Sequence, residues 1–195
     1  MKRLILMGGR PWLAKDEGER FAATLFRYSS KKVKLVFCIF AQPETEWEET
    51  RVWNVNMFNR FKGDRAIEYQ TMTPENFVEV SAWADAIYLP GGDPFGLKEK
   101  VSGFDLSKLW DGKVIAGSSA GADLFCEGFT SLSDRKFDHG LGWVQVSMIP
   151  HWRAPDFEGY TDKDWDWVEQ ESLRQLPGVP VLTIPEGDFV ECSVN

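Results

Sequence analysis

The stretch Val114-Ile115-Ala116-Gly117-Ser118-Ser119-Ala120-Gly121-Ala122-Asp123-Leu124-Phe125 decides the fold class. Val114 to Ala116 read as a buried strand, small residues follow, and Ala120 to Glu127 read as a helix. A strand, a sharp turn and a helix in that order is the setting of a G-x-S-x-G turn. Its small flanking residues let the backbone reverse and push the central hydroxyl out of the sheet edge. Ser119 holds that central position, which makes it a candidate nucleophile on an α/β scaffold. A glycine-rich strand-to-helix turn without chemistry fits the same five residues.

Outward from this turn, short aliphatic runs alternate with helix-like stretches, as in βαβ units with a mostly parallel sheet. Strands are predicted at Arg3 to Met7, Val33 to Phe40, Ala66 to Gln70, Ala86 to Leu89, Val114 to Ala116, Val144 to Ile149 and Val179 to Ile184. Helices are predicted at Lys15 to Tyr28, Glu44 to Phe61, Pro74 to Ala84, Ala120 to Glu127 and Asp162 to Leu176. Thr73 before Pro74, and Asp162, are the expected caps. No repeat or Pro/Gly/Ser linker divides the chain, so residues 1 to 195 are expected to form one domain.

A net charge of -8 and a pI near 4.9 argue against a surface built for nucleic acid. The apolar run near the N-terminus, Leu4 to Met7, is too short for a leader or a membrane span. Cys38, Cys126 and Cys192 are odd in number, form no C-x-x-C pair and lie in apolar surroundings, which predicts buried, reduced thiols and a cytoplasmic setting.

A serine hydroxyl needs a base, and the chain holds two histidines, His139 and His151. His151 follows the predicted strand Val144 to Ile149, where side chains reach the C-terminal edge of a parallel sheet, whereas His139 sits in a polar loop. A carboxylate should orient the imidazole, with Glu186, in the turn Pro185-Glu186-Gly187, ahead of Asp134 and Asp188. An oxyanion needs two amides: Ala120 supplies one, and the glycine pair Gly91-Gly92 after the strand Ala86 to Leu89 could supply the other.

In this order the pieces resemble the aspartyl dipeptidase (peptidase E) and cyanophycinase group of serine peptidases. They are Leu4 to Met7, Trp47 in the helix after the second strand, Ile87 to Asp93, the serine turn, Pro150-His151-Trp152 and Ile184-Pro185-Glu186-Gly187. The resemblance implies a three-layer α/β/α sandwich with a mostly parallel central sheet, like class I glutamine amidotransferase domains, and neither metal nor organic cofactor. It implies Ser119 as nucleophile, His151 as base and Glu186 as orienting acid, with Gly92, Gly91 and Ala120 forming the oxyanion hole. An aspartate after the serine helix also matters in that family, and Asp134 matches its place, ranked behind Glu186.

The best-known activity of the peptidase E branch, release of an N-terminal aspartate from dipeptides, implies a small peptide substrate and a basic group to receive its side chain. Those relatives carry arginines in a pattern like G-E-T-R-x-x-R-I after the histidine. Here the segment Glu158 to Trp167 is acidic and aromatic, which leaves Arg153 as the substrate-binding candidate. The chain runs nine residues past Glu186, fewer than typical relatives, so an open pocket or a partner subunit, as in a homodimer, is expected. Three other readings share these residues: a serine esterase, an amidotransferase-like domain using Cys126, and a non-catalytic binding domain.

Overall fold

The computed structural model describes residues 1–16, 18–155, 157 and 159–194, so Glu158 of the acidic and aromatic segment lies outside it. The elements in chain order are β1 (Lys2–Met7), α1 (Glu19–Phe26), β2 (Lys32–Phe37), α2 (Trp47–Phe61), β3 (Ala66–Thr71), α3 (Phe77–Trp83), β4 (Ala86–Leu89), α4 (Pro94–Val101) and α5 (Leu106–Leu109). There follow β5 (Val114–Ser118), α6 (Ala120–Asp123), β6 (Cys126–Ser131), β7 (Lys136–Asp138), β8 (Val144–Ile149), α7 (Asp162–Gln175), β9 (Val181–Thr183) and β10 (Phe189–Val194).

Six strands form the central sheet in the order β10-β1-β5-β4-β2-β3. All pair in parallel except β10, which runs antiparallel to β1. The twofold alternation of a strand sorts its side chains to two faces. Leu4 and Leu6 of β1 pack with Val36, Ile87 and Ile115 under the helical residues Phe77, Leu97, Leu106 and Ala122. Ile5 and Met7 pack on the opposite face with Leu35, Phe37, Tyr88 and Ala116, under Phe21 and Leu25 of α1 and Phe58 of α2. Helices on both faces make the three-layer α/β/α arrangement that the resemblance implied. Phe58 meets the rings of Phe21, Phe26, Phe37 and Tyr88, and burying such a ring contributes about 1.5–3 kcal/mol.

A second sheet, β7-β6-β8-β9, was not anticipated. The predicted helix Ala120 to Glu127 stops at Asp123, and β6 begins at Cys126. Pairing with β7 and β8 overrides the helical propensity there. Thr73 and Pro74 lie in the turn before α3, where Asn76 Oδ1 accepts the Thr73 amide at 2.7 Å, and the helix starts at Phe77. Thr161, not Asp162, caps α7, in a reciprocal capping box with Asp164. The strand expected from Val179 shortens to β9 because Pro180 has no amide to donate.

Cys38 and Cys126 are buried, whereas Cys192, on the edge strand β10, is only half-buried. No described helix is long and apolar enough to cross a membrane.

Candidate active site

Three successive carbonyls at the end of β1 tie the site together. Met7 accepts the Ser119 amide at 2.9 Å, Gly8 the His151 amide at 2.8 Å, and Gly9 the Gly187 amide at 2.8 Å. The serine turn is therefore fixed to the two loops that carry the histidine and the glutamate. Ser119 itself has φ 51 and ψ -117, a conformation that side chains other than glycine rarely adopt. The turn closes because Gly117 faces the Gly121 carbonyl, which a Cβ on Gly117 would approach to 2.2 Å.

His151 Nε2 lies 2.9 Å from Ser119 Oγ, and His151 Nδ1 lies 2.9 Å from Glu186 Oε1. The carboxylate accepts at Nδ1, so Nδ1 carries the proton and Nε2 is free to accept from the serine hydroxyl. Burial, then the nearby Arg10 charge, lowers the His151 pKa to about 4. Burial raises the Glu186 pKa, and Arg10 opposes that rise. Both shifts disfavour charge in a site withdrawn from water. Arg10 Nε stands 3.3 Å from Glu186 Oε1, so one carboxylate oxygen serves the imidazole and the guanidinium together.

Phe157 stacks on the His151 ring with centroids 4.0 Å apart, and the Arg10 guanidinium lies 4.9 Å from the Phe157 centroid. Gly9, at φ +131, leaves the room the imidazole occupies: a Cβ there would come within 2.1 Å of His151 Cε1. None of Gly9, Arg10 and Phe157 was singled out from sequence. Their one signal was that Gly8-Gly9-Arg10 follows β1 at the C-terminal edge of the sheet.

A relay orients the glycine pair. The Trp47 indole donates to the Gln42 carbonyl at 3.0 Å, and Gln42 Nε2 donates to the Gly91 carbonyl at 2.6 Å. In a trans peptide the next N–H points opposite to that carbonyl, so the Gly92 amide faces away from Gln42. Gly91 backs the nucleophile, since a Cβ there would sit 3.2 Å from Ser119 Cβ. Ala120 is the first residue of α6, and its amide has no intrahelical acceptor.

The Ser119–His151 pair opens on a cavity of about 690 Å³, walled by Arg10, Trp12, Glu49, Trp53 and Tyr88 among others. A second cavity of about 110 Å³ shares Ser119, His151 and Phe157 with the first and adds Asp123, Thr130 and Ser131.

The sequence profile of peptidase family S51 matches residues 27–193. The chain belongs to peptidase family S51. It is thus a serine-type peptidase. Among solved structures, a peptidase from an acI-B1 Actinobacterium superposes with a TM-score of 0.70 at 20% identity, covering 98% of this chain and 83% of that one. A candidate peptidase E of Listeria monocytogenes EGD-e superposes with a TM-score of 0.63 at 15% identity, covering 100% of both chains. These two likenesses establish the fold. No curated protein sequence matches.

In this S51 chain Asp134 does not reach His151. It closes the turn between β6 and β7, its Oδ2 accepting from the Ser131 and Ser133 hydroxyls at 2.6 and 3.1 Å. Asp188 pairs with Arg20 instead. Arg153, expected at the substrate, bonds Asp162 and Asp166 at 2.8 and 2.6 Å. The acidic start of α7 draws it away, and it is absent from the walls of both cavities. His139 lies against the Glu127 carbonyl and the Phe137 ring, a structural position.

Asp123 is 5% exposed, and its Oδ1 has no partner among the described residues. Burial raises its pKa well above the ordinary carboxylate value, so the folded chain holds a proton that the unfolded chain releases. The associated stability is present at low pH and lost as pH rises. Asp123→Asn is therefore expected to gain melting temperature relative to the parent as pH rises above the ordinary carboxylate range. Parallel melting curves across that range would contradict a neutral Asp123.

Proposed function

We propose that this S51 chain hydrolyses short peptides, as a dipeptidase-type enzyme, through an acyl-enzyme on Ser119. The observation that carries the reading is the unbroken chain Ser119 Oγ, His151, Glu186, with 2.9 Å at each step. His151 Nε2 takes the hydroxyl proton as Ser119 Oγ attacks the scissile carbonyl. The Gly92 and Ala120 amides receive the oxyanion, and Gly91 leaves them open to it. Glu186 stabilises the imidazolium, which hands its proton to the departing amine. Water, deprotonated by His151, then attacks the acyl-enzyme; the carboxylate product leaves and Ser119 regains its proton.

An aspartate preference would require a cation facing the acidic side chain. Arg10 is in the cavity wall, but its charge is already balanced by Glu186 at 3.3 Å. The proposal therefore covers short peptides and does not extend to aspartate selectivity.

The reading is tested with a panel of free dipeptides, Ala-Ala, Leu-Ala and Asp-Ala, by following the amines released. Protonated His151 cannot accept, so kcat/KM should fall as pH drops through about 4, below the ordinary histidine range. Arg10→Gln should move that limb to higher pH, because the guanidinium helps to hold the imidazole neutral. Absence of dipeptide turnover by the folded protein at any pH would overturn the peptidase mechanism assigned to these residues.

A further inference from the structure

The smaller cavity beside Ser119 holds a carboxyl group that the hydrolytic step leaves unused. Of the two cavities that share Ser119 and His151, it alone is walled by both residues assigned to the oxyanion, Gly92 and Ala120. A carbonyl seated on those amides is the one that Ser119 attacks, so the residue supplying it occupies this side of the nucleophile. Asp123 stands in the same wall, one helical turn along α6, its amide donating to the Ser119 carbonyl at 2.9 Å. Side chains so related have Cβ atoms about 5–6 Å apart. The α-nitrogen of the attacked residue, two bonds from its carbonyl carbon, comes within reach of that carboxyl.

Asp123 is 5% exposed, and neither of its oxygens has a partner among the described residues. Oδ1 is closed off inside the protein, which leaves Oδ2 as the open oxygen, and of the four cavities described Asp123 lines the small one alone. No lysine or arginine is in that wall. On α4, which packs against α6, Lys98 is bound to Asp138 and Lys100 to the Phe40 carbonyl. The titratable groups nearest Asp123 are His151 and Tyr160 in the cavity wall and Cys126 on β6, and burial holds His151 neutral down to about pH 4. A buried carboxyl that no cation and no donor satisfies is complementary to a small cation rich in donors.

We propose that Asp123 receives the free α-ammonium of the residue whose carbonyl Ser119 attacks. The assignment rests on the proposed peptidase reading for its substrate class, and it adds that cleavage is measured from a free N-terminus. Burial holds the Asp123 carboxyl in its acid form. Pairing with an ammonium therefore expels a proton: the acid gives it up to solvent as the carboxylate and ammonium come together.

Isothermal titration calorimetry on the Ser119→Ala protein, which binds without turnover, tests it with alaninamide and propionamide, two ligands that differ only in the α-ammonium. Alaninamide should bind at least about tenfold more tightly. Titrations at about pH 7 in phosphate and in Tris, buffers of unlike ionisation enthalpy, should show release of close to one proton for each alaninamide bound. In Ser119→Ala/Asp123→Asn the affinity ratio should fall close to one and the proton release should vanish. Comparing two ligands on one variant cancels any change in the amount of folded protein. A ratio near one with Asp123 present, a preference that survives its replacement, or alaninamide binding without proton release would each overturn the assignment. Alaninamide bound as expected, together with a parent protein that cleaves no dipeptide, would instead remove the peptidase reading and leave the ammonium site standing.

Discussion

Replacing Ser119 by alanine is expected to lower kcat by about 10⁶-fold, the scale on which a hydrolase loses rate with its nucleophile, and to leave the fold in place. The fold should survive because what holds the turn is main chain: the Ser119 amide on Met7, and the Ala122 and Asp123 amides on the Ser119 carbonyl. A second substitution separates chemistry from strain. Ser119 is held at φ 51, which costs a residue with a Cβ on the order of 1–3 kcal/mol. Ser119→Gly should be equally inactive but more stable than Ser119→Ala by roughly 1 kcal/mol in urea unfolding. Equal stability of the two variants would mean that the turn stores no strain.

Gly9→Ala should lose activity by about 10³- to 10⁴-fold although the substitution adds one methyl group and touches no reacting atom. The new Cβ would lie 2.1 Å from His151 Cε1 and 2.5 Å from Nδ1. Either the imidazole swings away from Glu186, or the β1 end shifts and pulls on the Ser119, His151 and Gly187 amides bound to it. Each route breaks a 2.9 Å contact. Gly63→Ala is the control, because Gly63 also has positive φ, +61, but nothing stands within 4 Å of its Cβ position. It should carry only the milder cost of the left-handed region and keep full kcat/KM. Activity retained in Gly9→Ala would show that His151 is not confined where the structure places it.

The core strands of the central sheet could be read from the chain because each carries its own apolar signal. Ala86–Leu89 in the central sheet, and likewise Val144–Ile149 in the second sheet, are found with the bounds expected from sequence. Strand β6 could not, since Cys126, Glu127 and Gly128 follow a helical turn and resemble its continuation. Gly128 is there for packing: a Cβ would meet the Phe137 ring at 2.6 Å, a contact between elements that no local pattern announces. The start of α4 carries a local signal, for Asp93 before Pro94 is an N-cap followed by a first-turn proline, and Asp93 Oδ1 accepts the Phe95 amide at 2.9 Å.

The same division runs through the site. Ser119, His151 and Glu186 each sit in a turn that follows an apolar strand, so local sequence pointed to them, and the structure brings the three within hydrogen-bond reach. Arg153, the substrate-binding candidate from sequence, is held elsewhere in the structure. Arg153 is next in the chain to Trp152, whose ring its guanidinium overlies, but its partners Asp162 and Asp166 belong to α7. Arg10 enters the cavity from the other end of the chain through contacts with Phe157 and Glu186. Long-range ion pairing sets which of two arginines that look alike in one dimension reaches the cavity wall.

Catalysis at this site depends on Ser119 being a nucleophile activated by His151. Treatment of the folded protein with a fluorophosphonate, followed by digestion and mass spectrometry, tests this most directly. The predicted result is a single phosphonyl adduct on the peptide containing Ser119, absent from Ser119→Ala and slowed severely in Gly9→Ala. An unmodified Ser119 in folded protein, or an adduct on another residue, would contradict it.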